Sequence, residues 1–473
     1  MLDKNVFSKV LDEALKRGGD FAEIYVEEKT ISNIYFDDNK IESINSGREK
    51  GAGIRVIKDG STAYVYTNDL STESLLDAAS AANHAAGSRK TINRPEIALN
   101  LKSIDDQLNL HPGQLSFADK IEHILSANKI ARDYSKEIRQ VTITLGDVRK
   151  NVQIANSDGE LVEDERSRVR MTVNTVAAQG NVVQTGYESA GEIGGWELLQ
   201  KVSLDDMALK AASLAVNMLT AQPAPAGKMS VVMSSTAGGT LVHEACGHGL
   251  EADLVQKGLS IYKDNRGRKV AAPGVNIIDD ATIEGQYGSY KFDDEGIRAQ
   301  RKVLIENGEL RGYMYDRLTA KKDGTESTGN GRRESYQHKP IPRMSNTLIG
   351  PGSEEPELII KSTAHGLLVK KMGGGQVNTT NGDFVFEVQE AYLIENGEIT
   401  APVKGAILTG NGPEVLKNID SIGNDLGFGI GTCGKDGQGV AVGDAQPTIR
   451  IKQLTVGGTM MADGPRIKRI RRK

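Results

Sequence analysis

The segment Val242 to Asp253, reading VHEACGHGLEAD, holds the residue types best suited to chemistry, with His243 and His248 flanking Glu244. Imidazole suits zinc, and a carboxylate beside a zinc-bound water can act as general base. In the common H-E-x-x-H arrangement the histidines lie four apart and share a helix face. Here they lie five apart. On a regular α-helix five residues turn about 500°, which sets the two rings roughly 140° apart. Both reach one metal ion only where the helix carries an extra residue, as a π-bulge does, or ends. Gly247, just before His248, makes such a distortion cheap. The chain has only seven histidines, so chance seldom frames an H-E pair with two of them. The other five, His84, His111, His123, His338 and His365, stand singly and read as structural or surface residues.

A catalytic zinc usually has three protein ligands and an open position, so a third donor is required. Cys433 is the leading candidate. It lies in GIGTCGKDG, where glycines permit close backbone approach and Lys435 favours a thiolate. Glu251 is the rival, three residues past His248 and on its helix face, and Asp253 is a weaker one. Either also suits a role behind a ligand, orienting it. Cys246 sits between the histidines but points elsewhere on a helix, and reads as a small buried side chain. A Cys246 nucleophile with a histidine base would leave the H-E pairing unused. Glu244 is the candidate general base, passing a proton from water to a leaving amine. Arg332, Arg333, Tyr336 and His338 form a dense polar group that could hold substrate or an oxyanion, or simply be a solvated loop. The run Gly373 to Gln376, GGGQ, lacks the lysine and serine of a phosphate-cradling loop and reads as a flexible or closely packed loop.

The motif HEACGH, with GLEAD after it, RRESYQHKPIPRMSNT (332–347), GDFVFEVQEAYLIENGEI (382–399) and GTCGKDGQ (431–438), resembles the TldD/PmbA metallopeptidases over nearly the whole chain. Catalytic members of that family carry H-E-x-x-x-H, and the non-catalytic sister type lacks it, so the resemblance is to the catalytic TldD type. It implies one zinc ion per active subunit, Cys433 as third ligand beside His243 and His248, and action on peptides or unfolded segments. It also implies a dimer, either a homodimer or a heterodimer with a PmbA-type subunit, that encloses the active site. A non-catalytic, metal-stabilised scaffold or modulator is the competing reading. The glutamate argues against it, since a structural zinc site has no need of one and usually closes with four ligands. The dipeptidyl peptidase III type shares the five-residue spacing, but is largely helical where this chain is strand-rich.

The elements around the motif read as α+β. Val6, Val10, Leu11 and Leu15 recur at helical spacing before Gly18 and Gly19. Strands are expected at 22–36, 51–58 and 61–67, the last two joined at Asp59-Gly60. Helices are expected at 73–86, 116–135 and 204–219, with period-two strand character from 138 to 178. The segment 221–227, AQPAPAG, reads as a stiff linker. It divides a helix-and-sheet N-terminal domain (1–220, with a possible break near 89–115) from a mostly antiparallel β catalytic domain (228–473). Asn307-Gly308 and Asn396-Gly397 mark hairpins in that second half.

At 473 residues the chain exceeds one ordinary core. Its 38% hydrophobic and 26% charged residues fit a soluble globular protein. A net charge of −5 gives no general attraction to nucleic acid. The basic tip RIKRIRRK (466–473) reads as a solvated terminus. Two cysteines build no disulfide framework, and neither a secretory signal nor a membrane-length apolar run is visible. A cytoplasmic location is the expectation.

Overall fold

The computed structural model describes residues 2–87, 97–103 and 114–458. The sequence readings for most of 89–115 and for the basic tip lie outside them. The described residues form a mixed helix-and-sheet fold with more strand than helix.

The first half is built on a seven-stranded sheet. Two long antiparallel pairs make its centre: Phe21–Asp37 with Lys40–Lys58, and Ile138–Asn156 with Glu160–Gln179. The turn Asp38-Asn39, with both φ positive, closes the first hairpin. That hairpin extends well beyond the expected strand at 51–58; residues 41–50 are mostly polar and exposed and so lack the alternation that marks a strand in sequence. Asp59 and Gly60 also have positive φ and close the expected turn to Ser61–Thr67. Val182–Ile193, which was not expected as a strand, pairs with Glu160–Gln179.

Side chains alternate across this sheet. One face carries Ala22, Ile24, Ile34, Phe36, Val141, Ile143, Val169 and Met171 under helices Lys4–Leu15, Thr72–Ala85, Phe117–Tyr134 and Leu204–Leu219. Ser116 caps the third of these through a reciprocal bond with Asp119. The other face presents Glu23, Tyr25, Glu27, Lys29, Lys150, Arg166 and Arg168, and packs against the second half. Tyr25, Val152 and Ile154 meet Phe292 and Tyr336 there. A buried ion network, Glu23 with Arg55 and Arg333, and Arg55 with Glu295, ties the halves together.

The second half contains a six-stranded and an eight-stranded sheet around one large apolar cluster. Most pairs are antiparallel, with parallel contacts between Asn346–Ile349 and Gln438–Gln446 and between Gly227–Met233 and His365–Val377. Both Asn-Gly hairpins form, with positive φ at Asn307, Gly308, Asn396 and Gly397. The segment expected as a linker is docked: Gln222–Pro223 pairs with Val403 and Lys404, and Ala221 and Ala224 are buried. The GGGQ run is no loop. It belongs to strand His365–Val377, whose register against Asp383–Glu395 shifts at Lys371, Met372 and Gly375. No described helix is long and apolar enough to cross a membrane.

Candidate metal centre

The histidine segment folds as three short pieces: α-helix Thr240–Val242, π-helix His243–Gly247 and 3₁₀-helix His248–Leu250. The π-turn supplies the extra residue that a five-residue spacing demands. The rings of His243 and His248 come to a centroid separation of 5.0 Å, nearly perpendicular at 83°. Leu241, Val242, Ala245, Cys246 and Leu250 anchor the segment in the apolar cluster. Gly247 matters for a different reason from the one expected. Its backbone is ordinary right-handed helix (φ −51°, ψ −59°), but a Cβ there would overlap Met344 Sδ. The glycine admits a neighbour rather than an unusual conformation.

The third member arrives from far along the chain. Gly427–Lys435 and Gln438–Gln446 form an antiparallel hairpin closed by Asp436-Gly437, both at positive φ. Cys433 on its first strand places Sγ 3.4 Å from His248 Nε2. One donor atom each from His243, His248 and Cys433 lies within 4.8 Å of the others. The same hairpin supplies Asp444, whose Oδ1 accepts from His243 Nδ1 at 2.8 Å. Glu251 Oε2 accepts from His248 Nδ1 at 3.0 Å. Each imidazole is therefore fixed through Nδ1, leaving Nε2 as the available nitrogen.

Glu251 is wholly buried and held by Lys435 Nζ at 3.1 Å, with the Arg343 guanidinium 4.0 Å away. Burial would raise its pKa, but Lys435 and His248 outweigh that and hold it at about 2. Its place behind His248 fits an orienting role rather than the rival ligand position. Asp253 is tied to Lys435 at 2.6 Å. Arg343 Nη2 donates to the Cys433 carbonyl at 2.5 Å and so fixes the backbone that carries the sulfur.

Burial alone would keep Cys433 a thiol, yet its pKa falls to about 5 because His243 and His248 face it. Lys435, expected to favour the thiolate, is instead engaged by Glu251 and Asp253. Burial disfavours charge on His248 too, but Glu251 and Cys433 raise it to about 9. His243 moves upward similarly through Asp444 and Cys433. Cys246 is buried, its Sγ donates to the Val242 carbonyl at 3.3 Å, and burial pushes its pKa up. It points away from the cluster.

His243, Glu244, His248 and Cys433 line an open cleft of about 520 Å³, together with Gly375, Gln376 and Val377. Glu244 is half-buried, and burial raises its pKa. Residues of two strands border the cleft, Gly375 to Val377 and Thr432 to Lys435. Gly427–Lys435 is the last strand of its sheet, and beyond Val369 the strand His365–Val377 has no second strand partner among the described residues.

The polar group that the sequence offered either as a substrate holder or as a solvated loop lies outside the cleft. Arg333 is buried against Glu23 at 2.6 Å. Tyr336 packs with Tyr25 and Phe292, and His338 Nδ1 meets Ser335 Oγ at 3.1 Å. None of the four lines the cleft. Asp444 and Arg343 escaped sequence reasoning. An aspartate inside the apolar run VAVGDA (440–445) was the one visible sign of the former.

Family profiles match three segments: PmbA/TldA metallopeptidase domain 1 over 22–86, the central domain over 110–219 and the C-terminal domain over 226–458. The Metalloprotease TldD homolog of Buchnera aphidicola is 35% identical, over 97% of this chain and 96% of its own length. The chain belongs to the PmbA/TldD metallopeptidase family. TldE from Thermococcus kodakarensis superposes with a TM-score of 0.76 at 20% identity, covering 96% of this chain and all of that one. A structure described as a putative modulator of a DNA gyrase, from Thermotoga maritima, gives 0.77 at 22% identity, over 92% of this chain and 96% of that one. At those identities the two structures speak for the fold alone. The PmbA/TldD domain boundary between 219 and 226 brackets the docked segment with Pro223 and Pro225.

Proposed function

We propose that the protein is a zinc-dependent peptidase of the TldD type, with His243, His248 and Cys433 as metal ligands and Glu244 as general base. The observation that carries this reading is the convergence of two carboxylate-oriented imidazoles and a thiolate on one side of an open cleft. Two nitrogens and a sulfur are a donor set that zinc accepts, and three protein donors leave a position for substrate or water. A divalent ion bound there supplies Lewis acidity and makes water acidic near neutral pH.

The chain's own residues do the rest. Asp444 and Glu251 hold the imidazoles in the tautomer that presents Nε2. Glu244, raised by burial, faces the cleft and can take a proton from water and return it to a leaving amine. The two open strand edges suit an extended peptide held by main-chain hydrogen bonds, which tolerates many side chains. A strict sequence preference in a peptide library would count against that part.

The domain division is read in the same way, with a helix-and-sheet unit (1–220), a short connection (221–227) and a catalytic unit (228–473). The reading includes a dimer, either a homodimer or a heterodimer with a PmbA-type subunit. A metal-stabilised scaffold remains the competing reading, and metal content with peptide hydrolysis decides between them. Purified protein is expected to hold one zinc per chain and to cleave an unstructured peptide, with activity lost to chelator and restored by zinc. Bound zinc without cleavage under any condition would favour the scaffold.

A further inference from the structure

A second cavity, of about 410 Å³, lies between the charged face of the N-terminal sheet and the second half of the chain. Arg166, Arg168 and Arg170 alternate along Glu160–Gln179 and so project from one face. Cross-strand register sets Lys150 opposite Arg166, Val148 opposite Arg168 and Gly146 opposite Arg170. Lys29 in turn stands opposite Lys150. Like charges placed side by side on a sheet repel, so this row needs counter-charge. Lys29, Lys150 and Arg166 receive it from Glu49, Glu27, Asp164 and Asp294.

Among the described residues Arg168, Arg170 and Arg332 form no ion pair within 4.0 Å; Asp294, which also lines the cavity, acts on Arg168 and Arg332 only from further off. Arg168 donates to the carbonyls of Tyr287 and Ser289 at 2.9 and 2.7 Å. Arg332 donates to those of Met344 and Ala441, and stacks over the Tyr290 ring at 5.0 Å. Arg170 reaches only Tyr187 Oη at 3.4 Å, and its Nε is buried without a partner. Burial lowers the pKa of Arg168 to about 10, and Arg332 and Arg166 add to the effect. Arg332 is buried and Arg168 and Arg170 are half-buried, and cations crowded together with restricted access to water favour an anion among them. Gly146, opposite Arg170, also lines the cavity.

We propose that this cavity binds an oxyanion, a carboxylate or phosphate group, held by Arg168, Arg170 and Arg332. Guanidinium forks match the geometry of both groups. Two sources share this chemistry. One is free inorganic phosphate. The other is the terminal carboxylate of a peptide lying in the metal cleft, since Thr432 lines both cavities.

The test is calorimetric titration of the full-length, metal-bearing protein in chloride buffer with three probes: inorganic phosphate, a neutral tripeptide and its C-terminal amide. Saturable binding of phosphate identifies a free-oxyanion site, and binding of the tripeptide acid but not its amide identifies a peptide carboxylate. Arg170→Gln removes one weak protein contact and should preserve the fold, yet weaken binding roughly tenfold or more, as loss of a charge-assisted pair does. Arg168→Gln should do the same, with circular dichroism checking folding. The Cys433→Ser variant should still bind, which separates this site from the metal centre. Binding of neither phosphate nor the acid, or unchanged binding in Arg170→Gln, overturns the proposal.

Discussion

Asp444 Oδ1 lies 2.8 Å from His243 Nδ1, so a residue 201 positions away decides which imidazole nitrogen the cleft receives. Removing that carboxylate should loosen the ring and lower its basicity. Asp444→Asn is expected to reduce zinc affinity by about 10–100-fold, the usual range for such orienting partners. Competition against a chelating dye measures it. Unchanged affinity would show that Asp444 does not orient a ligand.

Glu244 faces the cleft without being one of the clustered donors. Glu244→Gln should therefore retain zinc at the wild-type ratio while peptide hydrolysis falls by roughly 10²–10⁴-fold, the range for a positioned general base. Metal analysis and turnover on one preparation separate the two effects. Hydrolysis at the wild-type rate rules out the assignment.

The two cysteines should behave oppositely. Cys433→Ala removes a proposed ligand and is expected to lose zinc, whereas Cys246→Ala is expected to keep zinc and activity. Cys246 Sγ is directed at the Val242 carbonyl, not at the histidines. Equal zinc loss in both variants would contradict the geometry.

Protons compete with metal at this centre. In the metal-free protein His248 is raised from 6.5 to about 9. A raised folded-state pKa adds stability that is fully present below 6.5 and is lost as pH rises through about 9. Zinc requires the neutral imidazole, so apparent affinity should climb with pH across that same window, with proton release on binding. Calorimetry in buffers of different ionisation enthalpy reads the released protons. Affinity that declines as pH rises from 6.5 towards 9 would contradict this coupling.

Gly247 is tested by packing. Gly247→Ala should destabilise the protein by about 1–3 kcal/mol, typical of overpacking a filled site, through its overlap with Met344. Thermal unfolding measures it, and Met344→Ala in the same chain should recover part of the loss. A variant as stable as wild type would mean that Met344 moves aside freely.

Local chemistry made much of this protein legible before any coordinates. The H-E-x-x-x-H spacing requires either an extra residue in the turn or the end of the helix if the imidazoles are to converge, and the π-helix at His243–Gly247 supplies the extra residue. The Asn-Gly and Asp-Gly pairs marked hairpins because those residues accept positive φ. Residues 40–50 and 182–193 concealed their strands, since long polar or partly exposed strands lack the alternation that burial imposes.

Only the tertiary structure could bring Cys433 and Asp444 to the histidines, turn Lys435 towards Glu251, and carry Arg332 and Arg333 away from the cleft. Spacing along the chain governs geometry within one helical turn or hairpin. Between segments nearly two hundred residues apart, it is sheet order and register that decide which side chains meet.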